Sequence, residues 1–221
     1  MNALPERRHM AVETKDRLIA AAGAVLRAQG YAKASARAIA KEAGVNSALV
    51  FYHFGGVDQL LFAALDRSSA ERMARHTATV AEARTVEDLA EAATRIYRDD
   101  LEGGHITLLS ELVAAAVARP ELREGIRVRV EPWMAFVEET LERVVGGTPL
   151  ARLTPPRDLA CAAVTFYLGV NLFTVLDADR SRTESVLAMV RRLAPRARLL
   201  TLRRPLRPGG VRGVGRARRT P

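Results

Sequence analysis

With 221 residues, 48% of them hydrophobic and only 5% aromatic, the chain is long enough for one large or two modest domains with a real core, and its lack of alternating apolar runs argues for an all-α fold. A single cysteine, Cys161, excludes an internal disulfide framework; among apolar neighbours it reads as a buried structural thiol in a reducing, cytoplasmic setting. The net charge of +9 is unevenly spread: eleven arginines and no acidic residue follow Glu184, while residues 1–55 carry +4 and residues 56–184 carry −6, so a basic head suited to phosphate precedes an acidic body.

Residues 1–10, MNALPERRHM, hold charges and a proline where a secretion signal needs an apolar core, and read as a flexible arm. From Val12 to Gln29, Leu18, Ile19, Ala22, Val25 and Leu26 recur as one apolar stripe, which predicts a helix ended by Gly30. Ser35 then offers a hydroxyl to cap a helix on which Ile39, Ala40 and Ala43 share a face. Gly44 permits the left-handed turn that stops it, and Asn46 or Ser47 suits the cap of a second short helix from Ala48 to Tyr52. A small residue at Ala40, a glycine at Gly44 and an apolar residue at Val50 have the spacing of a helix-turn-helix, whose second helix enters a DNA major groove. After Gly55 and Gly56, Asp58 falls at the positive end of a fourth helix running towards His76, with Leu60, Leu61, Ala64 and Leu65 facing inward. The helix-turn-helix domain is placed at residues 11–56.

The body, residues 57–194, is predicted as helical throughout. Val86, Leu89, Ala93, Ile96, Tyr97 and Leu101 mark a helix closed by Gly103 and Gly104, and Ile106, Leu109, Leu112, Val113 and Val117 mark the next. Pro132 is expected to kink or divide the helix after Pro120, leaving Trp133, Phe136, Val137, Leu141 and Val144 on a separate segment, and GGTPLARLTPP reads as a loop. Residues 158–176 are apolar on nearly all sides. A membrane span needs ~20 largely apolar residues; this stretch is interrupted by Thr165, Gly169, Asn171 and Thr174, so it is expected to be buried against its own domain and against a partner, with no membrane involved. Residues 181–193 add Val186, Leu187, Met189, Val190 and Leu193 to the same seam, and residues 195–221 read as an arginine-rich, disordered tail. His9, His53, His76 and His105 lack metal-site spacing, no cofactor is expected, and neither a glycine-rich phosphate loop nor a nucleophile paired with a base supports a helical enzyme.

Over Thr14 to Leu65 the ordered set Gly30-Tyr31, Ile39-Ala40, Ala43-Gly44-Val45, His53-Phe54 and Leu60-Leu61 resembles the TetR family of transcriptional regulators. The resemblance implies an N-terminal three-helix helix-turn-helix DNA-binding domain with a larger C-terminal helical ligand-binding and dimerisation domain. It implies a homodimer, here seamed by the helices 158–176 and 181–193, that reads two half-sites of a palindromic operator. It implies also a repressor released by a small, largely apolar molecule, with a ligand-independent DNA-binding or architectural protein as the alternative. Asn46, Ser47, Ala48, Leu49 and Tyr52 match the recognition helix, Ser35 and Arg37 lie near the groove edge, and His53 matches the phosphate-contacting histidine. Asn46 on adenine is the most specific contact expected, and Leu49 suits a thymine methyl. Two positions depart from the family, Phe51 for a tyrosine and Val57 for a lysine; Lys33, Arg37, Arg7 and Arg8 are the cations placed to compensate. For the ligand pocket, aromatic walls with a few polar groups point to Tyr97, Leu101, His105, Leu109, Leu112, Trp133, Phe136, Phe166 and Asn171.

Overall fold

The computed structural model describes residues 3–177 and 179–201. In chain order the helices are α1 (Ala3–Gln29), α2 (Ala36–Ala43), α3 (Ala48–Phe54), α4 (Val57–Ala81), α5 (Val86–Gly103), α6 (His105–Ala118), α7 (Arg123–Val145), α8 (Pro149–Leu153), α9 (Pro156–Leu176), α10 (Ser181–Leu193) and α11 (Arg198–Thr201). Short 3-10 turns lie at Tyr31–Lys33, Pro120–Leu122 and Ala194–Ala197. The fold is all-α, with a helix-turn-helix head followed by a larger helical body.

α1, α2, α3 and the first half of α4 bury one core. Leu18, Ala22 and Leu26 of α1 meet Ile39 and Ala40 of α2, Val50 of α3, and Leu60, Leu61 and Leu65 of α4. At about 1.5–3 kcal/mol for each large aliphatic side chain buried, this layer, and not the propensity of the short helices α2 and α3, holds the head together. The same core continues into Leu108, Leu112 and Ala116 of α6 and Leu122 and Ile126 beyond it, so the head sits directly on the body. In the body, α7 lies along α9 and α4, and α5 packs on α10 and the Ala194–Ala197 turn. A second, smaller core gathers Tyr97, Val170 and Leu187.

Several local expectations are corrected. Residues 3–10, read as an arm, are the first turns of α1; Pro5 falls where backbone N–H groups have no intrahelical acceptor, so its ring removes no hydrogen bond. α7 runs unbroken through Pro132, because its packing along α4 and α9 outweighs one missing N–H. The expected loop GGTPLARLTPP contains α8, started by the buried Thr148, whose hydroxyl accepts from the Ala151 N–H, with Pro149 in the first turn. Val113 and Val117 are exposed, and it is Leu108, Leu112 and Ala116 that turn α6 into the core. Residues 195–201 are helical and Ala194 is buried against α5; residues 202–221 of the expected tail lie outside the described residues.

Cys161 is exposed, not buried. It lies on a face of α9 that nothing within the chain covers, together with Phe166, Leu172, Phe173, Val175 and Leu176. α9 is also, among the described residues, the one unbroken helix long and apolar enough by length and composition to cross a membrane.

Candidate functional site

The head presents α3 on a set of local devices. The Ser35 hydroxyl accepts the Ala38 N–H at 3.2 Å and so starts α2. Gly44, at φ 64°, ends it in the left-handed region. The Arg17 guanidinium donates to the carbonyl oxygens of Ala43 and Gly44, placing a cation at the negative end of α2 and fastening the turn to α1. Asn46 Oδ1 accepts the Ala48 N–H at 2.8 Å and starts α3.

Of the nine residues expected at DNA, the structure brings Asn46, Ser47, Ala48 and Tyr52 together on an exposed surface, with Lys33, Ser35 and Arg37 exposed on the preceding turn and helix. Ala48, Phe51 and Tyr52 fall at i, i+3 and i+4, one outward face of α3, and Tyr52 is 81% exposed. Phe51 shares this face; the sequence reading noted only its missing hydroxyl, although its spacing from Ala48 already signalled an outward position. Leu49 turns half inward onto the head core. Asn46 has its oxygen committed to the cap, which leaves its amide N–H groups to donate. His53 is half-buried, edge-on to Tyr52 with ring centroids 4.9 Å apart, and the Lys15 ammonium lies 5.7 Å from the Phe54 ring centre.

The body holds a cavity of about 220 Å³ between α4, α5, α6, α7 and α9. Four of the nine expected pocket residues line it, namely His105, Leu109, Trp133 and Phe136. The other five lie elsewhere. Tyr97 is fully buried towards α9 and α10, its hydroxyl 2.9 Å from Thr174 Oγ1, with Leu101 packed on the same cluster. Leu112 belongs to the head core. Asn171 is buried and donates to the Tyr167 carbonyl, and Phe166 is on the open face of α9. On α5 it is Leu89, Ala93 and Ile96 that face the cavity. They form an i, i+4, i+7 stripe adjacent to Tyr97 and Leu101, and both stripes are apolar.

One wall of the cavity is charged, which the sequence reading missed. Arg72 on α4 donates to both oxygens of Asp100 on α5, with Nε at 2.5 Å from Oδ1. His76 Nε2 lies 3.3 Å from the same oxygen, and the Tyr167 hydroxyl donates to Oδ2. Burial alone would push Asp100 up, but hydrogen bonds from His76 and Arg72, the charge of Arg72 and the Tyr167 hydrogen bond hold it at about 2. Burial and the neighbouring Asp100 charge push Tyr167 up. Burial and the Arg72 charge hold His105 down at about 3, so it is neutral, with Nδ1 2.9 Å from Ser68 Oγ. Trp133 donates to Ser69 Oγ at 3.3 Å, and Arg72 lies 4.8 Å from its ring centre. The i, i+4 spacing of Arg72 and His76 puts two polar side chains on one inward face of α4. That spacing was the available signal.

α6 links the two regions. It begins at His105 on the cavity and its 14 residues span about 21 Å at 1.5 Å per residue. Further along, Glu111 accepts the Tyr31 N–H at 2.9 Å, and Arg119, just past the end of α6, reaches Asp58 at 3.0 Å and the Tyr31 hydroxyl. Tyr31 also donates to Asp58 Oδ1 at 2.7 Å, and burial with the Asp58 hydrogen bond and charge pushes its pKa up to about 12.

Comparison with known proteins gives a consistent picture. Residues 18–64 match the family model described as bacterial regulatory proteins, tetR family. The HTH-type transcriptional regulator CymR of Pseudomonas putida is 29% identical over 189 residues, which cover 82% of this chain and 91% of that protein. A solved structure of a TetR-family member from Streptomyces coelicolor A3 is 29% identical, with a TM-score of 0.60 over 82% of this chain and 98% of the other. The solved structure of the multidrug binding protein EbrR with imidazole is 28% identical, with a TM-score of 0.56 over 80% and 93%.

Proposed function

The chain is a transcriptional regulator of the TetR family, and from that premise we propose that it is a homodimeric, cytoplasmic repressor that occupies a palindromic operator and leaves it when a small, largely apolar effector fills the cavity of the body. Asn46, Ser47, Ala48, Phe51 and Tyr52 read base edges, and Lys33, Ser35, Arg37 and His53 hold the flanking phosphates. Phe51, in place of a hydroxyl that would grip phosphate, adds an apolar contact suited to a thymine methyl. Leu49, half turned inward, serves to seat α3.

The dimer forms through α9 and α10. In support, five large apolar side chains of α9 and Met189 and Leu193 of α10 are left open by the isolated chain, a patch of the kind that marks an interface.

The observation that carries the reading is the course of α6, from His105 in the cavity wall to Arg119 on Asp58 at the start of α4, the helix that carries the head. An effector that fits one position of α6 better than the other shifts the heads, and a difference of about 1–3 kcal/mol between the two states gives a 5- to 150-fold change in operator affinity. EbrR, a relative named for multidrug binding, accords with a body that accepts apolar small molecules. Selection of bound duplexes from a random DNA pool tests the reading. A palindrome with half-sites about one helical turn apart is expected; recovery of unrelated sequences bound equally well argues instead for an architectural protein.

A further inference from the structure

We infer that the ligand of the cavity is a small, uncharged molecule of one ring with a short alkyl substituent, carrying a single hydroxyl that donates to Nδ1 of His76. This deepens the reading of the cavity as the effector site and rests on it.

Size is set first. An apolar cavity of about 150 Å³ takes up benzene, so one of about 220 Å³ admits a ring with about three further heavy atoms on the same scale. The walls favour such a ring: Trp133 and Phe136 meet edge to face with centroids 6.1 Å apart, and Leu89, Ile96 and Leu109 complete an apolar surround.

The polar contact follows from hydrogen-bond accounting on the charged wall. Arg72 is held by Asp100, Tyr167 by Asp100, His105 by Ser68 and Trp133 by Ser69. His76 lines the cavity, is 1% exposed, and its Nδ1 meets no partner among the described residues. An acceptor or donor buried in this way is exceptional. Because Asp100 is ionised and only accepts, the hydrogen between it and His76 belongs to Nε2. Arg72 and Asp100 already balance each other's charge, and His105 is neutral, so a second proton on His76 would add an uncompensated charge to a largely apolar chamber. Nδ1 is therefore a lone-pair acceptor. What satisfies it is a donor on the ligand, and a hydroxyl on a ring of this size gives the phenol class.

The test is a fluorescence titration of Trp133, the one tryptophan of the chain, with 4-ethylphenol, with 4-ethyltoluene, which replaces the hydroxyl by a methyl group of similar size, and with 4-ethylbenzoate. The phenol is expected to bind at least about five-fold more tightly than the toluene, the fold-change of one neutral hydrogen bond, and the two are expected to bind alike on His76→Phe. If that variant does not fold, the comparison on the unaltered chain decides alone. Equal affinity for phenol and toluene overturns the inference, as does tightest binding of the benzoate, which needs a hydrogen on Nδ1, or no response to any of the three. Operator binding measured in parallel separates this inference from the reading beneath it. Phenol binding without operator release upholds the ligand chemistry and contradicts the effector role, whereas release by the benzoate alone does the opposite.

Discussion

The guanidinium of Arg119, just beyond α6, lies 3.0 Å from the carboxylate of Asp58 in the first turn of α4, with the Tyr31 ring beneath it at 5.7 Å. The contact joins the C-terminal end of α6 to the N-terminal ends of two head elements. Both side chains are partly exposed, so the pair adds no more than about 1 kcal/mol to stability. Its importance lies in position. Arg119→Ala is expected to lower the denaturation midpoint only slightly and to leave operator affinity nearly unchanged in the absence of effector, while reducing release by 4-ethylphenol several-fold. Operator binding by fluorescence anisotropy with and without the phenol checks this; undiminished release would remove Arg119 from the link.

Asn46 both caps α3 and faces outward. Its two roles separate on substitution. Asn46→Ser keeps a capping oxygen and loses the amide donors, so stability should hold within a few tenths of a kcal/mol while discrimination at one base pair of each half-site falls by about 1 kcal/mol or more. Asn46→Ala should lose the same discrimination and also about 1 kcal/mol of stability. Thermal denaturation beside binding to single-base variants of the operator distinguishes the two.

The open face of α9 predicts a change of oligomeric state. Phe173 is 69% exposed in the single chain, so Phe173→Asp should leave the monomer fold intact while placing a charge in the apolar seam of the dimer. Sedimentation should show monomers where the unaltered chain is dimeric, and operator binding should weaken because two half-sites are no longer held together. A variant that remains dimeric would place the seam elsewhere.

His105 makes stability depend on pH. Its pKa is near 6.5 when the chain is unfolded and about 3 when folded. Between these values the unfolded chain holds the extra proton, so the contribution is complete above about 6.5 and is lost as pH falls towards 3, at about 1.4 kcal/mol per pH unit. Urea denaturation at pH 7 and pH 5 should therefore show a loss of about 2 kcal/mol that is absent from His105→Gln. Asp100, held at about 2, adds its own loss only below about pH 4.

The head was legible in the sequence because its devices are local. Ser35, Gly44 and Asn46 act within four residues of themselves, and each does in the structure what its chemistry suggests. The cavity was legible only in part. On α5, Ile96 and Tyr97 are consecutive and both apolar, and only the placement of α7 and α10 decides that one meets the cavity and the other the second core. The Arg72 and Asp100 pair joins positions 28 apart, beyond any local periodicity. Pro132 failed as a breaker for the same reason, since tertiary packing overrides a local preference. Cys161 was misread because an apolar stretch does not say whether its outer face meets the same chain or another.

The central claim is that filling the cavity loosens the grip of the head on DNA. Val137 lines the cavity from α7 and touches no residue assigned to DNA. Val137→Trp places an indole in the space that a ligand would occupy and so tests the coupling without one. Operator affinity of this variant, measured by fluorescence anisotropy on the selected palindrome with folding checked by circular dichroism, should fall at least about five-fold, the lower bound of typical coupling between sites. A folded variant that binds the operator as tightly as the unaltered chain would contradict the account.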